Sequence, residues 1–186
     1  MRLFVAIDID EDNKSFLWER AKQLKNMGFR GSFPRKENYH ITLKFLGEVE
    51  ERLIPEIKEA LKKAAAETAP FELSLSERGV FPGYKQPRVV WIGIKEETGA
   101  LKKLFSSVED ELSRLGFERE RRPFSPHLTL ARIKSITPQG KKSLLEFCSK
   151  KDYVGKVRVD RFVLYRSILD SRGAIYKKIA EFQLKE

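Results

Sequence analysis

The word His-x-Thr-Leu stands at His40–Leu43 and again at His127–Leu130, and the chain has no other histidine. With this chain's own Thr and Leu content, chance would yield that coincidence about once in a hundred thousand. The two words lie 87 residues apart, and the same offset carries the rest of the pattern with it. The β-rich run opening at residue 2 maps onto residue 89, inside another such run. Phe71 maps onto residue 158, inside a third. A repeat of this period implies internal duplication of a β-α-β-α-β unit, approximately residues 1–87 and 88–186, with one extra strand at the C-terminus. No linker separates the copies, so a single unit of two tightly packed lobes over residues 1–186 is predicted, not two domains.

Alternation and helical periodicity fill in the elements. Strands are predicted over 2–9, 38–46, 71–80, 88–95, 126–133, 156–165 and 174–184. A helix capped by Asp12 runs to about Met27, with Phe16, Leu17, Ala21 and Leu24 on one face and Gly28 as its stop. A second covers 50–66, with Pro55 in its first turn. A third begins at Thr98 and ends at Gly116. The fourth is announced by Thr137-Pro138, an N-cap followed by proline at the first helical position, and reaches about Lys150.

Period-2 alternation puts His40 and Thr42 on one strand face, with Ile41, Leu43 and Phe45 on the other. His127 and Thr129 stand in the same relation to Leu128 and Leu130. If the halves pack about a pseudo-two-fold axis, two imidazoles and two hydroxyls meet across a groove. That set suits in-line displacement at phosphorus. A neutral imidazole takes a proton from the attacking water, and a protonated one gives a proton to the leaving oxygen. Threonine hydroxyls donate to the non-bridging oxygens, where charge builds. No metal or other cofactor is required, and two histidines without clustered carboxylates make a poor metal site.

The formal net charge of +10 favours a polyanionic partner such as nucleic acid, against the plainer reading of a solvated Lys/Glu surface. Cys148 is the only cysteine and sits at helical spacing from Leu144 and Leu145, so it reads as a small core residue. Residues 1–8 turn acidic too soon for a signal peptide, and no apolar run approaches spanning length; a cytoplasmic protein without a membrane partner is expected. No heptad or apolar stripe stands out, and a monomer is expected.

The paired words, the longer strings His40-Ile-Thr-Leu-Lys-Phe-Leu-Gly47 and His127-Leu-Thr-Leu-Ala-Arg132, and the opening Arg2-Leu-Phe-Val-Ala-Ile-Asp8 resemble the 2H phosphoesterase superfamily, and within it the RNA 2′,3′-cyclic phosphodiesterases, also called 2′-5′ RNA ligases. The resemblance covers nearly the whole chain. It implies a bilobal α+β fold with a central cleft. It also implies metal-independent opening of a 2′,3′-cyclic phosphate at an RNA end to leave a 2′-phosphate, with 2′-5′ ligation as the reverse reaction. The catalytic histidines of that family correspond to His40 and His127, and its motif threonines to Thr42 and Thr129. Its arginine five residues after the second histidine corresponds to Arg132, a phosphate or substrate contact. Strict alternation would point Arg132 away from the site, so a bulge or strand end is needed there. Phe45 holds the equivalent place in the first copy, which makes the duplication chemically unequal.

Beyond these positions, Phe124 is the leading candidate to stack on a terminal base, among aromatics that include Phe33, Phe81, Trp91, Tyr165 and Tyr176. The segment from Arg114 to Arg122 either guides RNA or is a solvated edge. Two other functions fit the same charge and cleft: a non-catalytic RNA- or nucleotide-binding module, and a phosphoesterase acting on a small cyclic phosphate.

Overall fold

A computed structural model describes residues 1–151 and 155–185. The elements in chain order are β1 (Arg2–Asp8), α1 (Glu11–Leu24), β2 (Phe29–Ser32), β3 (His40–Glu48), α2 (Ile54–Ala66), β4 (Phe71–Phe81), β5 (Val89–Lys95), α3 (Ala100–Ser113), β6 (His127–Ile136), α4 (Pro138–Ser149), β7 (Gly155–Val159), β8 (Arg161–Asp170) and β9 (Gly173–Gln183). The β-α-β-α-β order stands in both copies.

Local chemistry accounts for the boundaries. The α1 cap is Asp10, not Asp12: its carboxylate accepts from Asn13 N at 3.2 Å, so the helix starts two residues early and stops at Leu24. Thr137 caps α4 as expected, accepting from Gly140 N at 2.9 Å, with Pro138 next in line. The α3 helix starts after Gly99 rather than at Thr98, because the Glu96 carboxylate takes the Thr98 and Leu101 N–H groups. Two strand assignments change. The stretch 156–165 is split at Asp160 into β7 and β8, and β2 is an additional edge strand. At Gly31 of β2 a Cβ would lie 1.9 Å from the Arg132 carbonyl oxygen, so only glycine lets β2 lie this close to β6.

All neighbouring strands are antiparallel, in a four-stranded sheet ordered β3-β1-β8-β9 and a five-stranded sheet ordered β2-β6-β5-β4-β7. The pseudo-symmetry is visible in that order: β3 beside β1 answers β6 beside β5. The sheets, however, interleave the two copies. β4 of the first copy lies beside β5, while β8 lies beside β1 with β9 beyond it. Helices also cross over, with α1 on β6 and β7 and α3 against β3. Strands and helices share one continuous core in which Leu17, Ile57, Leu61, Leu104, Leu128 and Phe162 are fully buried. Each such side chain contributes about 1.5–3 kcal/mol by leaving water. Cys148 is among the buried residues, as expected. No helix among the described residues is long and apolar enough to cross a membrane.

Candidate active site

The two histidine words open β3 and β6, and these strands lie against each other where the sheets meet. Each word is followed by the same irregularity. In β3 the pairing with β1 steps from Thr42 to Lys44, skipping Leu43. In β6 the pairing with β5 steps from Thr129 to Ala131, skipping Leu130. Two consecutive residues are therefore buried, Leu43 with Lys44 and Leu130 with Ala131. The bulge shifts the alternation by one, so Arg132 emerges on the face of His127 and Thr129. The equivalent position of β3 presents Phe45, which is 68 % exposed.

Both imidazoles are anchored alike. His40 Nδ1 donates to the Asn38 carbonyl at 2.7 Å, and His127 Nδ1 donates to the Ser125 carbonyl at 2.9 Å. A carbonyl only accepts, so each neutral ring carries its proton on Nδ1 and keeps Nε2 as the working nitrogen. His40 Nε2 accepts from the Thr42 hydroxyl at 2.9 Å. Among the described residues His127 Nε2 has no such partner. Asn38 is itself held by a bond from its Nδ2 to the Ala174 carbonyl at 2.8 Å, which ties the first anchor to β9.

The surroundings differ. His40 lies 5.1 Å from the Phe4 ring and 5.4 Å from that of Tyr176, centroid to centroid. His127 is edge-on to Phe81 at 5.0 Å, and Phe81 leans on Trp91. Trp91 can lie across β4 because residue 79 is glycine; a Cβ there would come within 2.2 Å of the indole. Burial pushes the His40 imidazole below the ordinary histidine value. The Asn38 carbonyl and the Asp8 carboxylate oppose that shift, while Arg132 and His127 add to it. Arg132 and His127 thus lie close enough to act on His40 across the strand junction. Asp8 is fixed by the Tyr165 hydroxyl and by Lys178, 3.8 Å away. Burial, reinforced by that bond to Asp8, pushes Tyr165 well above the ordinary tyrosine range.

All five predicted site residues therefore gather at one junction. Asp8, Phe4 and Asn38 join them without having been singled out. Asp8 had a signal: it is the polar end of an otherwise apolar strand, in register with His40. Phe124 does not stack freely, because its ring lies on Phe105 of α3 at 4.2 Å and 7°. The arginines of 114–122 are largely neutralised in place: Arg119 pairs with Asp110 at 2.7 Å and Arg121 with Glu118 at 2.7 Å. Among the described residues no three His, Cys, Asp or Glu side chains cluster in a way that could hold a metal ion.

Comparison with known proteins gives one consistent result. Residues 14–170 match the family model for the 2'-5' RNA ligase superfamily. The chain is 40% identical over 184 residues to the RNA 2',3'-cyclic phosphodiesterase of Archaeoglobus fulgidus, covering 98% of this chain and 100% of the relative. It is 37% identical to the enzyme of that name from Thermotoga maritima, over 100% of this chain and 96% of the relative. A crystal structure of a Thermus thermophilus protein superposes with a TM-score of 0.84 at 28% identity, covering 100% and 98% of the two chains. E. coli LigT in its apo form superposes with a TM-score of 0.75 at 25% identity, again over 100% and 98%.

Proposed function

The chain belongs to the 2'-5' RNA ligase superfamily, and on that premise we propose that it is an RNA 2′,3′-cyclic phosphodiesterase working as a single two-lobed unit and a monomer. The observation that carries the reading is the matched anchoring of two imidazoles, each with Nδ1 tied to the carbonyl two residues back and Nε2 left for chemistry. Water attacks phosphorus in line with the bond to the 3′-oxygen. His127, the more exposed ring, takes the water's proton on Nε2. His40 delivers a proton from Nε2 to the 3′-oxygen as that bond breaks, leaving a 2′-phosphate and a 3′-hydroxyl. Thr42, released from His40 Nε2, and Thr129 donate to the non-bridging oxygens, and Arg132 adds a fixed positive charge. Both proton transfers use side chains, so the scheme calls on no metal. With a 5′-hydroxyl in place of water, the same step on the cyclic phosphate forms a 2′-5′ bond as the bond to the 3′-oxygen breaks, without ATP.

The direct test is a short RNA ending in a 2′,3′-cyclic phosphate, assayed in EDTA with 2′- and 3′-phosphate products resolved. Turnover to the 2′-phosphate is expected. A 3′-phosphate product would put the proton donor on the wrong side, and tight binding without turnover would make the protein a binding module.

The acidity of His40 gives a second test. In this scheme His40 must be protonated, and burial holds its pKa in the free site below the ordinary histidine value. The group with the lower pKa sets the acid limb whichever role it plays, so the acid limb of kcat/KM, which reports free enzyme, lies below the ordinary histidine value. Bound phosphate favours the charged ring, so the acid limb of kcat lies at higher pH than that of kcat/KM. An acid limb of kcat/KM at or above the ordinary histidine value would mean that burial does not hold the His40 ring neutral in the free site.

A further inference from the structure

A groove of about 780 Å³ runs along the edge formed by β2 and β6, and Arg132 is one of its walls. Arg30, Arg88 and Lys134 line it too, all exposed. Among the described residues none of these four cations lies within ion-pair distance of a carboxylate. Arg88 is held in place by donating to the Lys134 carbonyl at 2.9 Å. The contrast with the arginine-rich segment 114–122 is direct, since Arg119 and Arg121 there are paired with acids. Two half-buried aromatics, Phe29 and Phe33, complete the lining, their rings 5.7 Å apart. Unpaired cations beside aromatic faces are what a single strand needs: charge for the phosphates and flat surfaces for the bases.

We propose that this groove carries the RNA chain on the 5′ side of the terminal nucleotide. The proposal rests on the reading of the site given above. A cyclic phosphate closes the 3′ end of its chain, so every other nucleotide leaves the site in one direction only. Arg132 joins the two places, since the bulge at Leu130 puts it on the histidine face while its strand partner Ser32 belongs to the groove. The charge of the groove is thus continuous with the phosphate site, while Arg30, Arg88 and Lys134 contribute nothing to a mononucleotide held there.

The test compares a decamer ending in a 2′,3′-cyclic phosphate with a mononucleoside 2′,3′-cyclic phosphate. In Arg30→Ala/Arg88→Ala/Lys134→Ala, kcat/KM for the decamer is expected to fall about tenfold or more at low salt. The mononucleotide should change by less than about twofold, since it meets none of the three counter-charges. The slope of log affinity against log salt should shrink by about 2, three contacts at about 0.7 each. The double variant Arg30→Ala/Lys134→Ala keeps the Arg88 bond to the backbone and should move the same way. Equal losses on both substrates, or no loss on either, overturn the groove. If the unaltered protein turns over neither substrate, the catalytic reading fails by itself. Anisotropy of a labelled decamer with a 3′-phosphate end then decides the groove: weaker binding in the variants upholds it, and unchanged binding overturns it.

Discussion

Replacing His40 or His127 with alanine should lower kcat on a cyclic phosphate RNA end by about a thousandfold, with KM nearly unchanged. That loss corresponds to about 4 kcal/mol of transition-state stabilisation. Each ring moves one proton in the same step, so the double variant should be little worse than either single one. The folded state should barely notice, because both side chains are partly exposed and each is anchored by one carbonyl. A melting curve for each variant separates lost chemistry from lost structure. Activity within tenfold of the parent in either variant would sink the paired-histidine scheme.

The largest effect on stability should come from a pair that touches no substrate. Lys44, buried by the bulge at Leu43, places its Nζ 2.7 Å from Glu109 Oε1 of α3 and donates to the Glu118 carbonyl at 2.8 Å. Glu109 Oε2 accepts from Glu120 N at 2.9 Å. Both side chains are almost wholly out of water, at 7% and 6% exposure. The pair fastens β3 to α3 and to the segment that leads into β6. Glu109→Ala leaves a buried ammonium without its counter-charge and should cost about 3–5 kcal/mol. At this chain length that lowers Tm by about 6–20 °C. Lys44→Met/Glu109→Leu removes both charges while keeping bulk, and should recover most of the loss. Calorimetry of the three proteins decides it; a Tm shift under about 2 °C in Glu109→Ala would mean the pair is already well solvated.

Much of the site is legible in the chain itself. A histidine repeated in one word at a fixed offset cannot be hidden by tertiary structure. The displacement of Arg132 even demands the irregularity that Leu130 supplies. Other features leave no such trace. β2 is four residues long with three exposed, so it shows neither alternation nor an apolar run. Asp160 breaks one predicted strand into two, because a single bend carries no period of its own. Phe124 reads as a base platform from its place before the second word, yet a ring beside an amphipathic helix finds the helix first, and Phe105 takes its face. Strand partnership is the hardest to see. An 87-residue repeat looks the same whether β4 stays with its own copy or crosses to the other sheet.

That crossing bears on how the protein moves. The chain passes between the sheets at β1 to β2, β2 to β3, β3 to β4 and β7 to β8. Hinged enzymes concentrate their flexibility where few segments connect two bodies. Here four separate passages would have to flex together for the lobes to gape, so the distance between the two histidine rings is set like the jaws of a fixed wrench rather than those of pliers. What enters must then match an opening that the fold has already set.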